Sequence, residues 1–178
     1  MIGIVLLVIG ILAVLMFLAK LYKRASKETA FVRTGVGGEK VVMNGGAMVL
    51  PVFHHTIPVN TKDLVLPVIR RDTEALITLD RLRIDVKAEF YVRVRPDSGA
   101  IAMAAQTLGL RTMEPEQLKE LVEGKFIDAL RTAAADMTME ELHEKRGLYV
   151  KRVREAVAED LTKNGLELES ASLTQLDQ

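Results

Sequence analysis

The chain opens on a long apolar segment that ends in a group of basic residues. No charged side chain occurs from Met1 to Ala19. Thirteen of the positions from 2 to 18 are Ile, Val, Leu or Phe, and together they favour membrane insertion by about 4 to 8 kcal/mol. The segment therefore predicts a single membrane-spanning helix. Its anchoring side chains are Ile2, Ile4, Val5, Leu6, Leu7, Val8, Ile9, Ile11, Leu12, Val14, Leu15, Phe17 and Leu18.

The length of this segment suits a membrane anchor better than the alternatives. As a helix it spans roughly 27 Å, slightly less than a hydrocarbon core of about 30 Å, so Lys20 and Tyr22 are expected to reach the headgroups. A cleavable signal would carry its basic residues before the apolar run, and Phe17 to Ala19 form a poor cleavage site. A buried core helix rarely needs so long a run without a polar face.

The basic residues that follow the anchor predict its orientation. They are Lys20, Lys23, Arg24 and Lys27, and only the α-amino group precedes the span. The positive-inside rule then places the N-terminus outside and the rest of the chain in the cytoplasm. The same cluster can also lie against anionic lipid. A topology signal alone explains it equally well.

Composition limits the function of the remaining part. About 150 residues remain after the anchor, enough for one ordinary domain. The chain has 24 basic and 24 acidic residues, 4% aromatic residues and no Trp, so neither a nucleic-acid surface nor a base-stacking platform is indicated. The absence of Cys excludes disulfides, thiolate zinc sites and a cysteine nucleophile. We expect no cofactor.

Residues 30 to 69 carry short apolar runs broken by Gly, Asn and Pro, which is typical of short strands. The glycine-rich stretch from Gly35 to Lys40 lacks P-loop spacing and opens no helix, so it predicts a hairpin turn and not a phosphate loop. The run Asn44-Gly45-Gly46 predicts a second tight hairpin.

Strict alternation from Arg81 to Arg95 predicts a long strand with one buried face, and its length predicts a bend or bulge. The opposite face carries charges of both signs. A solvated sheet surface is the simpler interpretation. The alternative is a self-association face, because charges of mixed sign suit contact between copies of one chain. The residues proposed for that face are Arg81, Asp85, Lys87 and Glu89.

After Pro96 the apolar spacing becomes helical. A first helix is predicted from Asp97 or Ser98 to about Leu108, and a second begins at Pro115 with a stripe that includes Leu121. A capping box at Thr138 begins a third helix, and a fourth runs from about Leu148, through Val150, to Asn164-Gly165. Alternation from 166 to 170 then predicts a strand that returns to the sheet. The fold class is therefore α+β.

Candidate functional residues are few. His54 and His55 are adjacent, and neighbours on a strand point to opposite faces, so a shared metal ion is not expected. His143 lies among glutamates on a helix and predicts a solvated surface. A more informative feature is an apolar turn close to the anchor, which either enters the inner leaflet as a second membrane contact or fills the sheet core. Its residues are Val49, Leu50, Val52 and Phe53.

Several motifs together resemble the band 7 or SPFH domain of flotillins. They are GGAMVLPVFH from Gly45 to His54, Leu64-x-Leu66, MTMEEL from Met137 to Leu142, and DLTKNGL from Asp160 to Leu166. The nearest likeness is to the bacterial flotillin-like inner-membrane proteins that begin with a single span. The resemblance divides the chain into an anchor with a basic segment, residues 1–29, and an SPFH domain, residues 30–178.

The resemblance implies a non-enzymatic scaffold that binds membrane lipids, self-associates and gathers at lipid microdomains. It also implies an NfeD-type membrane protein as a partner. Flotillins continue into a coiled coil, whereas this sequence stops at Gln178. Either it is part of a longer protein, or, if it is the whole protein, high-order assembly is not expected. Two alternative functions remain: a regulatory subunit of a membrane protease, with the domain outside, and a membrane-tethered hydrolase that uses His54 or His55.

Overall fold

A computed structural model describes residues 2–177. The helices are α1 (Ile2–Lys20), α2 (Ser98–Thr107), α3 (Pro115–Ala135), α4 (Met139–Glu144) and α5 (Arg146–Thr162). The strands are β1 (Tyr22–Arg24), β2 (Thr29–Gly35), β3 (Lys40–Val42), β4 (Gly46–Met48), β5 (His54–Asn60), β6 (Leu64–Arg70), β7 (Leu76–Ile77), β8 (Arg83–Val94) and β9 (Leu166–Asp177). Single 3₁₀ turns occur at Asp72–Glu74 and Gly109–Met113.

The strands form three antiparallel sheets. The first is the two-stranded ribbon β1–β4, the second is β3-β2-β5, and in the largest β8 pairs with β6, β7 and β9. The α+β class is confirmed. Pairing of β1 with β4 also extends the folded unit back to Tyr22, before the boundary at residues 29 and 30 that the sequence suggested.

One of the two predicted hairpins is present. The loop containing Gly37 joins β2 to its neighbour β3, with Arg33 opposite Lys40. The prediction of a tight hairpin at Asn44 to Gly46 is wrong. Gly45 has the expected positive φ of 89°, but β3 pairs with β2 and β4 pairs with β1, so this turn carries the chain from one sheet to another. Turn residues specify the local bend and not the partner of the next strand.

The long alternating strand is confirmed as β8, although it begins at Arg83 and ends at Val94. Its even-numbered residues are buried and its odd-numbered ones are more exposed. The expected irregularity lies in the pairing with β9, where register shifts leave Glu169 and Thr174 as extra residues. Arg81 lies outside the strand with a φ of 62°, because the chain turns sharply at Thr78 to Leu82 before β8 begins.

The helices cover the buried face of the large sheet. Helix α3 packs against β6, β7 and α5, and α5 packs against β9. The ring centroids of Phe90 and Phe126 are 4.3 Å apart at the centre of this core. The Tyr149 hydroxyl donates to the Leu130 carbonyl at 3.1 Å, and burial raises the pKa of Tyr149.

The predicted helix ends agree with the structure more closely than the predicted buried faces of the helices do. Asp97 caps α2, and Thr138 and Glu141 form the predicted capping box of α4. Leu121 and Leu148, however, are exposed, and Tyr149 replaces Leu148 and Val150 in the core. Helix α5 begins at Arg146, two residues earlier than predicted. Its buried residues Tyr149, Val153, Val157 and Leu161 recur every fourth position, and this spacing places Tyr149 in the stripe.

The turn before β8 is attached to the start of α4 through Asp80, and this predicts sensitivity to acid. The Asp80 carboxylate accepts hydrogen bonds from the Thr78 hydroxyl and from the Met139 N–H, the latter at 3.3 Å. These hydrogen bonds, chiefly the one from Thr78, lower the pKa of Asp80 below its ordinary value of 3.8. A lowered folded-state pKa gives stabilisation that is present above 3.8 and is lost as the pH falls through the folded value.

Asp80→Asn should therefore flatten the decline of stability in acid, which urea unfolding between pH 7 and pH 3 would measure. Asp128→Asn, on the exposed side of α3, is the control and should leave the acid slope unchanged. Equal slopes for wild type and Asp80→Asn would contradict the assigned role of Asp80.

Candidate membrane-facing site

The end of α1 is joined directly to the folded domain. The Leu21 N–H donates to the Leu18 carbonyl at 3.1 Å, and the Leu21 carbonyl accepts from the Val49 N–H at 2.8 Å. Tyr22 then pairs with Met48 in the β1–β4 ribbon. The residues that follow β4 are consequently held beside the last turn of α1.

The ribbon packs on the β3-β2-β5 sheet around a small core of its own. Phe31, Val42 and Ala47 are buried there, and Val49 packs against them. The Lys23 ammonium donates to the Thr56 hydroxyl at 2.9 Å, joining β1 to β5. These contacts fix the position of the ribbon, and with it the loop that β4 leads into.

That loop presents an exposed apolar surface. A turn at Leu50 to Phe53 is closed by the Phe53 and His54 N–H groups, which donate to the Leu50 carbonyl at 3.0 and 2.8 Å. The exposed fractions of Val52 and Phe53 are 85% and 59%. Val36, from the β2–β3 hairpin, lies beside them with an exposed fraction of 70%, and its N–H donates to the Phe53 carbonyl at 3.3 Å. We call Val36, Leu50, Val52 and Phe53 the apolar tip.

A close backbone approach holds the two halves of the apolar tip together. Gly35 has a φ of 134°, and a Cβ at this position would lie 2.1 Å from the Phe53 carbonyl oxygen, so only glycine fits. The His54 ring bridges the same two loops. Its Nδ1 accepts from the Leu50 N–H at 3.1 Å and its Nε2 donates to the Val36 carbonyl at 3.0 Å.

His54 therefore has a structural role. Both ring nitrogens of His54 bind backbone groups, which leaves neither to accept a proton from a nucleophile. Among residues 2–177, no group of three or more His, Asp or Glu side chains could hold a metal ion. His143 is exposed on α4, as expected.

Of the four residues predicted for a second membrane contact, three belong to the apolar tip and one does not. Val49 is half-buried against the small core, whereas Leu50, Val52 and Phe53 are exposed. Sequence reasoning missed Val36, because its neighbours are glycines in a separate turn. The only signal for it was a lone apolar residue at the centre of a glycine-rich hairpin.

The four basic residues follow one another along the chain from the end of α1 to the link before β2. Lys20 is the last residue of the helix, Lys23 and Arg24 lie on β1, and Lys27 lies in the link to β2. The Lys23 ammonium is 5.7 Å from the centroid of the Phe31 ring, and the Arg24 guanidinium is 5.7 Å from that of Tyr22. Positive charge and exposed apolar surface are thus combined at the end of the domain that α1 enters.

The predicted self-association face lies on a different surface. Asp85, Lys87 and Glu89 share the outer face of β8, although Asp85 accepts from the Asp72 N–H at 3.2 Å. Arg81 is separated from them by the turn before β8. Beside this row, β6 exposes Val65, Pro67 and Ile69, which pair with Tyr91, Glu89 and Lys87.

Helix α1 is long and apolar enough to cross a membrane, with a mean hydropathy of 2.7 from Gly3 to Lys20 and every described side chain exposed. A helix of this kind leading into a mixed domain with an apolar tip defines a membrane-anchored domain of α+β fold. The sequence profile of the SPFH domain / Band 7 family matches residues 24–177, so the chain belongs to that family.

The similar proteins are flotillins, which confirms the resemblance. The chain is 57% identical to the flotillin family inner membrane protein YqiK of Escherichia coli over 98% of its length and 31% of the relative's. It is 29% identical to the flotillin family inner membrane protein sll1021 of Synechocystis, over 98% of the chain and 27% of the relative. It is 30% identical to the flotillin-like protein FloT of Bacillus subtilis, over 94% of the chain and 34% of the relative. The chain thus spans about a third of the length of these relatives.

Proposed function

We propose that this chain is the membrane-anchoring part of a non-enzymatic scaffold, which self-associates at the cytoplasmic face of the bacterial inner membrane and organises lipid and protein microdomains. The observation that carries the proposal is the junction of α1 with the domain, where the apolar tip and the basic residues lie together. The inner membrane is proposed as the location because two relatives are named inner membrane proteins. An NfeD-type membrane protein stays a predicted partner.

Topology is the first test of this function. Lys20, Lys23, Arg24 and Lys27 lie at the C-terminal end of the span, which favours a cytoplasmic domain. Alkaline phosphatase fused after Gln178 should be inactive and a fluorescent protein that folds only in the cytoplasm should be bright. The reverse pattern would contradict the proposal and favour the protease-regulator function.

Self-association is proposed to use the outer face of the large sheet. The charged row of Lys87 and Glu89 lies beside exposed apolar side chains of Val65 and Ile69, so a second copy could bury the apolar row and pair the charges. This combination distinguishes the face from an ordinary solvated sheet, which has few large apolar residues.

Val65→Lys with Ile69→Lys should reduce oligomer formation by this chain at least several-fold. Chemical crosslinking in vesicles, with a reagent that does not require cysteine, and mass photometry in detergent would measure this. Leu110→Lys is the control, because Leu110 is an apolar residue outside the sheet that is even more exposed than Val65 and Ile69, and it should leave the oligomers intact. Unchanged oligomers in the double variant would exclude this face, and a monomeric wild type would exclude self-association by this segment.

A further inference from the structure

We propose that a groove between the end of α1 and the apolar tip is a binding site for the phosphate of one anionic phospholipid. Its lining includes Lys20, Tyr22 and Lys23 from the end of α1 and from β1, and Pro51, His55 and Thr56 from the loop after β4 and from β5. The inference rests on the proposed function only in requiring that this end of the domain faces the membrane. It adds a discrete ligand site to that function.

The groove offers cationic donors in fixed positions. The Lys23 ammonium uses one of its three donors on the Thr56 hydroxyl at 2.9 Å, so the group is oriented and two donors remain for an anion. Lys20 faces the same groove from the last turn of α1. Such charge-assisted hydrogen bonds to phosphate are stronger than neutral ones.

No carboxylate neutralises these cations from the same segment. The first acidic residue of the chain is Glu28, and it pairs with Lys62 at 2.8 Å. His54 is excluded as a ligand because both of its ring nitrogens bind backbone groups, so it forms part of the frame. The electrostatic complement of this groove is therefore a monoanionic or dianionic group.

The surroundings of the groove favour a phospholipid over a soluble phosphate. On one side lies α1, whose apolar side chains are exposed along its length, and on the other lie Val52 and Phe53 of the apolar tip. A phosphate held by Lys20 and Lys23 would place acyl chains against both surfaces at the depth where the helix leaves the bilayer.

Two other basic residues allow a discrete site to be distinguished from diffuse attraction. Arg24 and Lys27 lie in the same segment and carry the same charge, but they do not line the groove. Arg24 lies over the Tyr22 ring, and Lys27 lines a separate depression beside Met43 and Asn44. A membrane surface potential would weigh all four residues alike, whereas a single headgroup site would not.

The full chain in an uncharged detergent, titrated with phosphatidylglycerol and followed by native mass spectrometry, provides the test. We expect one lipid to bind saturably and phosphatidylcholine to bind far more weakly. Lys20→Gln with Lys23→Gln should weaken phosphatidylglycerol binding about tenfold, whereas Arg24→Gln with Lys27→Gln should change it less than about twofold. Lys20→Arg with Lys23→Arg should retain binding, which separates loss of charge from misfolding.

Equal losses in the two Gln pairs, or equal binding of the two lipids, would overturn the proposal in favour of diffuse attraction. Glycerol phosphate and inorganic phosphate are added as competitors. We expect neither to displace the lipid at equal concentration, and displacement would reassign the groove to a soluble anion. If lipid binding proves unselective while the fusion after Gln178 still reports a cytoplasmic domain, the lipid site is rejected and the proposed scaffold function is unaffected.

Discussion

Gly165→Ala is expected to cost about 3 to 5 kcal/mol of folding free energy, because alanine is strained in the left-handed conformation and its Cβ would also overlap backbone atoms. Gly165 lies in the turn after α5 with a φ of 71°, and a Cβ there would lie 2.2 Å from the Ala100 carbonyl oxygen in α2. The Gly165 carbonyl also accepts from the Arg95 N–H at 3.0 Å, at the end of β8. Since the obstructing atoms are backbone, no rotamer change can relieve the overlap, and α2 must separate from the start of β9.

The matched control for this substitution is Gly109→Ala. Gly109 also has a positive φ, 56°, but nothing lies within 4 Å of the position of its Cβ. Only the conformational term remains there, about 1 kcal/mol. Urea unfolding of both variants, followed by circular dichroism, gives the comparison. Similar losses of unfolding free energy would mean that α2 does not pack closely on Gly165.

Local signals in the sequence predict local structure well in this chain. The Asp97 cap, the capping box at Thr138 and the glycine stop at Gly165 each depend on residues within about one helical turn, and α1 depends on a single uninterrupted apolar run. The alternation of β8 is also local, because every second side chain meets the same face of the sheet. These features therefore follow from spacing alone.

The length of β9 could not be predicted by the same rule. Its apolar residues are Leu166, Leu168, Ala171, Leu173 and Leu176, with intervals of two, three, two and three. The extra residues at the register shifts account for each interval of three, so the apolar side chains stay opposite buried residues of β8. A strict period of two ends the strand near residue 170, because bulges depend on the partner strand.

The candidate site was only partly visible in the sequence for a related reason. Leu50, Val52 and Phe53 lie within four consecutive residues, so the sequence shows them as one apolar turn, either exposed or buried. Val36 joins them through the close approach at Gly35 and the bridge made by His54, both of which link residues about eighteen positions apart. Which loops lie together is determined by the pairing of β2 with β5, and this pairing produces no periodic pattern in the sequence.

The apolar tip is expected to enter the inner leaflet, and a tryptophan at its end can report this. The chain contains no Trp, so Phe53→Trp supplies a single conservative reporter. In vesicles containing lipids brominated at shallow acyl positions, its fluorescence should be strongly quenched. Val52→Asp in the same background should largely abolish the quenching, because moving a carboxylate into hydrocarbon opposes insertion by about 2 kcal/mol or more.

Leu79→Trp is the control for mere attachment to the vesicle. Leu79 is exposed to a similar extent as Phe53, but it lies in the turn before β8, where its N–H donates to the Met137 carbonyl at 3.0 Å. Since α1 anchors both reporters equally, proximity to the bilayer alone would quench both. Selective quenching at position 53 requires penetration by the tip. Weak quenching there, unaffected by Val52→Asp, would leave α1 as the sole membrane contact of this segment and would place the apolar tip against another protein.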